Sequence, residues 1–221
     1  MGKLLKGING PFSGKVGTAV GYMWKDLGVI RARPDKRRKP FSEKELNQQA
    51  RFALMNKFLI PIKNLLHAGF GHLAYRMNGF NKGFSYNVKA AILGIRPDLS
   101  IDCSRVLLSR GDLAKPESAA VLALSPNSLQ FNWIDQSGAG NARETDQVFV
   151  AVFSIEKKRW FYRLNVATRN TGTYILELKK VLLDPSPFEG QPLQTYMGFI
   201  AADGNDASDS VYTGMVNMAA N

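Results

Sequence analysis

Three stretches in the second half of the chain alternate apolar and polar positions with a period of two. SLQFNWID (128–135) sets Leu129, Phe131 and Trp133 on one face, RWFYRLNV (159–166) does the same with Trp160, Tyr162 and Leu164, and TYILEL (173–178) with Tyr174, Leu176 and Leu178. QVFVAVFS (147–154) is apolar on both faces. Side chains of a strand point alternately to its two faces, so these stretches predict β-strands. RVLLS (105–109), AAVLALS (119–125), QTYMGFIAA (194–202) and SVYTGMV (210–216) extend the series to seven or eight strands with turn residues between them. That spacing predicts an antiparallel β-sandwich over 101–221.

The first half reads differently. In FSEKELNQQARFALMNKFLIPIKNLL (41–66), Ser42 followed three residues later by Glu45 forms a capping box, and Phe41 with Leu46 matches a hydrophobic staple. Leu46, Ala50, Leu54 and Phe58 recur every four residues, with Ala53 beside them, as the packed stripe of a helix. Pro61 is expected to kink or stop that helix near Leu59 or Ile60, and Ile62, Leu65 and Leu66 resume it. The next segment, GFGHLAYRMNGFNKGFSYN (69–87), mixes aromatics with Gly and Asn and is expected to be loop-rich. Its rings either fill a core or stack bases beside Arg76 and Lys82. Together, 41–100 is read as a helical region.

The chain begins with glycines at 7, 10, 14, 17 and 21. On a helix they would form a side-chain-free stripe, but each costs about 1 kcal/mol relative to Ala and Pro11 stands among them. Residues 1–40 are therefore expected to be an extended or irregular arm, ordered by packing on its own subunit or on something else. VGTAVGYMW (16–24) within it has the character to bury Val16, Val20, Tyr22 and Trp24. The fold class is α+β: a glycine-rich arm and a helical segment followed by the sandwich.

Charge changes this picture. The chain has 221 residues, 45% of them hydrophobic, and a net charge of +11 from 29 Lys and Arg against 18 Asp and Glu. Residues 1–90 carry 17 basic and 4 acidic residues, and the remainder 12 and 14. The basicity thus belongs to the N-terminal part. RARPDKRRKP (31–40) concentrates Arg31, Arg33, Lys36, Arg37, Arg38 and Lys39 around the single acid Asp35. Such a run is either a solvated loop or a footprint for phosphate backbones. With Lys15 and Lys25 it forms the candidate nucleic-acid-binding set, while Gly7, Gly10, Gly14, Gly17, Gly21 and Trp24 form a candidate assembly arm.

Candidate chemistry is sparse. NGPFSGKVG (9–17) resembles a phosphate-binding loop, but Asn9 replaces the first Gly and Val16 the Ser or Thr that would hold Mg²⁺, so no nucleotide cofactor is expected. The lone Cys103 predicts no disulfide, and His67 and His72 have no Cys or acid near them in sequence to complete a metal site. Asp203, Asp206 and Asp209 share one polar loop, where a turn or a weak surface cation site explains them equally. No catalysis, metal, cofactor or small-molecule substrate is expected. The N-terminus has no apolar leader core, Lys6 stands where a myristoylation signal needs Ser or Thr, and no stretch is long and apolar enough to span a membrane. A cytoplasmic location, or a virion if the chain is phage-derived, is the expectation.

Trp133 in an early strand, Tyr196 in the penultimate strand and the loop DGNDASDS (203–210) before the last strand resemble a fibronectin type III or immunoglobulin-like domain without a disulfide. Over nearly the whole chain, GPFSGKVGTAVGYMWKDLGVIRARP, the 41–66 helix and DGNDASDSVYTG are similar to a family of uncharacterised bacterial proteins of the Bacteroidota, defined only as a domain of unknown function. That resemblance implies no activity and no site residues. From the residues themselves, the leading expectation is a self-assembling structural protein that contacts nucleic acid, such as a phage or phage-like coat or virion component. It would be a homo-oligomer whose arm is ordered on neighbours or on packaged polyanion. The alternatives are a non-assembling nucleic-acid-binding or ribonucleoprotein accessory factor, and a sandwich-type interaction module that docks peptides on an edge strand.

Overall fold

The computed structural model describes residues 3–4, 10–24, 27–35, 39–178 and 190–218 and divides the chain into two units, Met1–Ser42 and Glu43–Asn221. The smaller unit is an antiparallel sheet in chain order: β1 (Lys3–Leu4), β2 (Phe12–Val16), β3 (Ala19–Trp24) and β4 (Leu27–Ala32). A glycine-rich segment holds this shape because the tight places fall on glycines. Gly17, at a φ of 57°, takes the left-handed conformation in the two-residue turn between Val16 and Ala19.

The larger unit begins with α1 (Glu43–Leu59), immediately after Ser42, where the capping signal places its start. Pro61 stops it as expected. Ile60–Ile62 tighten into a 3-10 turn, and the chain continues as α2 (Lys63–Phe70). The buried side of α1 is rotated from the predicted stripe. Met55, Phe58 and Leu59 are fully covered, Leu46, Ala50 and Leu54 half-covered, and Ala53 exposed. On the buried side the Phe58 ring meets those of Phe153 at 4.8 Å and Trp160 at 5.0 Å, and beside it the half-exposed Phe52 ring stacks at 5.6 Å on Phe84 of a third helix.

That helix, α3 (Gly79–Ala90), takes the second half of the segment expected to be loop-rich over 69–87, while 71–78 are turns as expected. Asn78 caps it by accepting the Asn81 N–H at 2.8 Å, and its glycines let it lie close against α2. A Cβ on Gly83 would stand 2.9 Å from the Phe70 ring. The expected strand 105–109 is also absent. After a short β5–β6 ladder (Ile92–Leu93 with Ser100–Ile101), Cys103–Arg105 form a 3-10 turn and Val106, Leu108 and Ser109 are buried as irregular chain. Side chains satisfy its backbone in place of a ladder. The Asn87 amide bonds both the N–H and the C=O of Leu107 at 2.9 and 2.8 Å, and the Ser210 hydroxyl accepts the Leu108 N–H at 2.8 Å.

The remaining strands form the expected sandwich. β9 (Gln147–Ser154), β10 (Arg159–Arg163), β12 (Pro192–Ile200) and β13 (Val211–Asn217) build a sheet in the order β10-β9-β12-β13. β7 (Glu117–Ser125), β8 (Ser128–Ile134) and β11 (Thr173–Glu177) build a second in the order β11-β8-β7. Between the sheets lie Leu129, Phe131, Trp133, Val148, Val150, Val152, Met197 and Phe199. The opposite face of the four-stranded sheet, with Phe149, Ala151, Phe153, Tyr196 and Ile200, packs on Met55, Phe58, Leu65, Leu66 and Phe70 of the helices. The unit is therefore three layers, and β9 is apolar on both faces because both are covered. The helical region, expected as a segment of its own over 41–100, is one layer of the same unit as the sandwich.

Candidate assembly and nucleic-acid interface

In the N-terminal sheet, directly paired residues share a face and neighbours along a strand alternate. The register Gly14↔Gly21↔Ile30 and Val16↔Ala19↔Ala32 therefore collects Phe12, Val16, Ala19, Met23, Ile30 and Ala32 on one face, together with Gly14, Gly21 and Gly28. Across β2, β3 and β4 that face has no polar side chain. Ile30 is 62% exposed, Val16 54% and Met23 41%. Gly21 is buried beneath Phe12; a Cβ there would lie 2.7 Å from its ring.

The register Lys15↔Val20↔Arg31 puts Ser13, Lys15, Val20, Tyr22, Trp24, Leu27, Val29 and Arg31 on the other face. Trp24 is 45% exposed and Tyr22 39%, and the Arg31 guanidinium carbon sits 5.7 Å from the centre of the Tyr22 ring. Just past β4, the Arg33 N–H donates to the Thr18 carbonyl at 2.7 Å, holding the strand end against the β2–β3 turn. Arg31, Arg33 and Thr18 line an open concavity of about 720 Å³.

The sequence-predicted residues are thus distributed unevenly. Lys15 and Arg31 share a face with Trp24, Gly14 and Gly21 pair across strands on the other, Gly17 makes the turn and Gly10 precedes β2. Lys39 lies beyond the sheet, and Gly7, Lys25, Lys36, Arg37 and Arg38 fall outside the described residues. The joint burial expected of Val16, Val20, Tyr22 and Trp24 does not occur. The two-residue turn puts Val16 on the face opposite the other three, and Val16, Tyr22 and Trp24 are exposed. Strand parity alone would group all four, since 16, 20, 22 and 24 are even; the two-residue turn reverses it, pairing Val16 with Ala19 and so setting it on the face of 19, 21 and 23.

Elsewhere, the acidic loop is tied to the body. Asp206 Oδ1 accepts the Ala207 N–H at 2.7 Å, and Asp209 Oδ1 accepts the Gly111 N–H at 3.3 Å. The Asn205 N–H, donating to Asp203, lowers that carboxyl below its ordinary range. The fold brings His72 to within 3.5 Å of Asp206, a pairing that sequence spacing does not reveal. These contacts fasten the loop to the body, and among the described residues no three His, Cys, Asp or Glu side chains gather as metal ligands would.

Sequence reasoning also missed a buried ion pair in the sandwich. Arg169 Nε donates to Asp146 Oδ2 at 2.9 Å, and the two side chains are 0% and 1% exposed. The guanidinium carbon lies 3.8 Å from the centre of the Phe199 ring, and the Trp133 Nε1–H donates to the Arg169 carbonyl at 2.7 Å. Finally, an apolar groove of about 360 Å³ runs between α1 and the sheet, lined by Leu54, Phe58, Phe153 and Cys103 and flanked by Lys57 and Lys158. Burial pushes the Cys103 thiol pKa up, and the buried Tyr196 hydroxyl donates to the Cys103 carbonyl at 2.8 Å.

The larger unit is thus a fibronectin type III-like sandwich with a helical layer, and the smaller a two-faced sheet. Residues 11–214 match the family of unknown function DUF6266, and the chain belongs to that family. No curated protein matches. Among solved structures, the chain is similar to the fn3 domain of human collagen alpha-1(XX), with 13% identity over 49% of this chain and 87% of that one and a TM-score of 0.36. It is also similar to chicken CNTN1 FN1-FN3, at 14% over 51% and 35% with a TM-score of 0.39. The FN5 domain of Drosophila Lar matches at 10% over 50% and 99%, TM-score 0.33. Among the described residues, no helix is long and apolar enough to cross a membrane.

Proposed function

We propose that this is a structural protein that assembles with further copies of itself through the N-terminal sheet, and that the assembly gathers polyanion. One observation carries the reading: the Phe12–Val16–Met23–Ile30 face has no polar side chain and is exposed at Val16, Met23 and Ile30. A second copy is the occupant that fits. The same uncharged face on another chain covers every one of these side chains at once, as self-complementary contacts do. Residues 1–42 carry ten Lys and Arg against two Asp, a net of +8, so like-charged copies approach best on the face that bears no charge. Three strands about 4.8 Å apart and about 20 Å long give a footprint of roughly 300 Å². Stable pairs bury about 800 Å² per partner, so this contact alone is weak and forms at high concentration. A self-complementary contact closes as a two-fold pair, so a coat or shell would join such pairs through a further contact.

Size-exclusion chromatography with light scattering on the full chain across a concentration series tests this. Wild type is expected to grow in mass with concentration, and Ile30→Lys to stay monomeric while keeping the same circular dichroism. A wild-type chain that remains monomeric at the highest concentration overturns it.

A further inference from the structure

We infer that the polyanion is single-stranded nucleic acid and that its platform is the other face of the sheet, built by Lys15, Tyr22, Trp24 and Arg31. This rests on the polyanion half of the reading above and is independent of assembly, which uses the opposite face. Tyr22 and Trp24 stand two residues apart on β3, on one face and both exposed. Two residues of strand span about 7 Å, roughly twice the 3.4 Å rise between stacked bases of one strand. Rings at that spacing meet only bases already splayed apart, and a duplex keeps its base faces covered. An exposed aromatic sheet with cations beside it is the arrangement on which unpaired bases stack, whatever their sequence.

The cations are placed to take the phosphates. Lys15 and Arg31 occupy one cross-strand row on either side of Val20, about 10 Å apart by the interstrand spacing, directly beside the aromatic pair. Arg31 already lies over the Tyr22 ring, and Arg33 continues the charge at the concavity next to it. Across β2, β3 and β4 this face bears no acidic side chain. A flat platform with positive charge only, and rings at splayed-base spacing, complements a flexible anionic strand.

The test titrates full-length protein with a fluorescein-labelled oligothymidylate and with a duplex of the same length, while following tryptophan emission. Of the other two tryptophans Trp133 is buried and Trp160 half-buried, and both remain in Trp24→Phe, so quenching that disappears in this variant reports stacking at residue 24. The single strand is expected to bind more tightly than the duplex at equal salt. Trp24→Ala should weaken it about 5- to 150-fold and Trp24→Phe much less. Arg31→Gln should flatten the log–log salt dependence by about 0.7. Duplex binding as tight as single-strand binding with unchanged emission overturns the inference and leaves the polyanion reading standing. No binding of either oligonucleotide overturns both. Capture by phosphatidylserine vesicles without oligothymidylate binding also overturns the inference and assigns the face to a lipid surface.

Discussion

Replacing Arg169 with Met isolates the cost of one buried charge. The guanidinium is 0% exposed, donates to Asp146 Oδ2 and to the Ala114 carbonyl, each at 2.9 Å, and covers the Phe199 ring. Met fills much of the volume over Phe199 but leaves the Asp146 carboxylate, 1% exposed, with the Arg143 N–H at 2.9 Å as its remaining donor to Oδ2. An uncompensated buried charge costs about 3–5 kcal/mol. For a unit spanning Glu43–Asn221, each kcal/mol shifts the midpoint by about 2–4 °C, so Tm is expected to fall by about 6–20 °C. The pair itself is another matter, because desolvating two ions offsets most of their attraction. Arg169→Met with Asp146→Leu should therefore recover most of the loss, short of the Ala114 and Arg143 hydrogen bonds. Urea unfolding of the full chain, followed by tryptophan fluorescence, measures the three variants, with an unchanged m-value as the control for two-state behaviour. A loss below about 1 kcal/mol for Arg169→Met, the range of an exposed pair, or a double variant as unstable as the sum of the singles, refutes the reasoning.

Gly69→Ala should destabilise by about 1–3 kcal/mol, since the added Cβ would stand 2.6 Å from the Leu108 carbonyl oxygen and from the Ser109 Cβ; an unchanged urea midpoint would mean that α2 and the 105–109 segment separate freely. Because burial raises the Cys103 thiol pKa above its ordinary value, its alkylation by iodoacetamide should be slower at pH 8 than that of a free thiol and go on accelerating at pH values where a free thiol has levelled off. A rate that levels off below pH 8.5 would contradict the buried setting.

The period-two and period-four patterns were enough to read the sandwich, the start of α1 and its break at Pro61. They failed where side chains replace backbone pairing. RVLLS looks like a strand because its residues are buried, yet its hydrogen bonds go to Asn87 and Ser210, and no local signal announces partners 20 and 102 residues away. The segment 69–87 looked like a loop because glycines lower helix propensity, whereas Gly83 faces Phe70 and gains close packing in exchange. Asn78 was the readable clue to α3. In the N-terminal sheet, composition located the charge on the arm, but only the pairing register separates the apolar face from the basic aromatic one. The Arg169–Asp146 pair, 23 residues apart, leaves no pattern in the sequence.

A β9–β12 sheet covered on both sides also bears on modularity. An antiparallel sheet commonly packs one face on a core and leaves the other wet, so a two-sheet sandwich can stand by itself. Here the outer face of the larger sheet, with Phe149, Phe153, Tyr196 and Ile200, is already committed to the helices of the same chain. The sandwich is therefore not a transferable part. Any boundary drawn between residues 41–100 and the strands cuts through a shared interior, and the natural cut is at Ser42, between the two compact units.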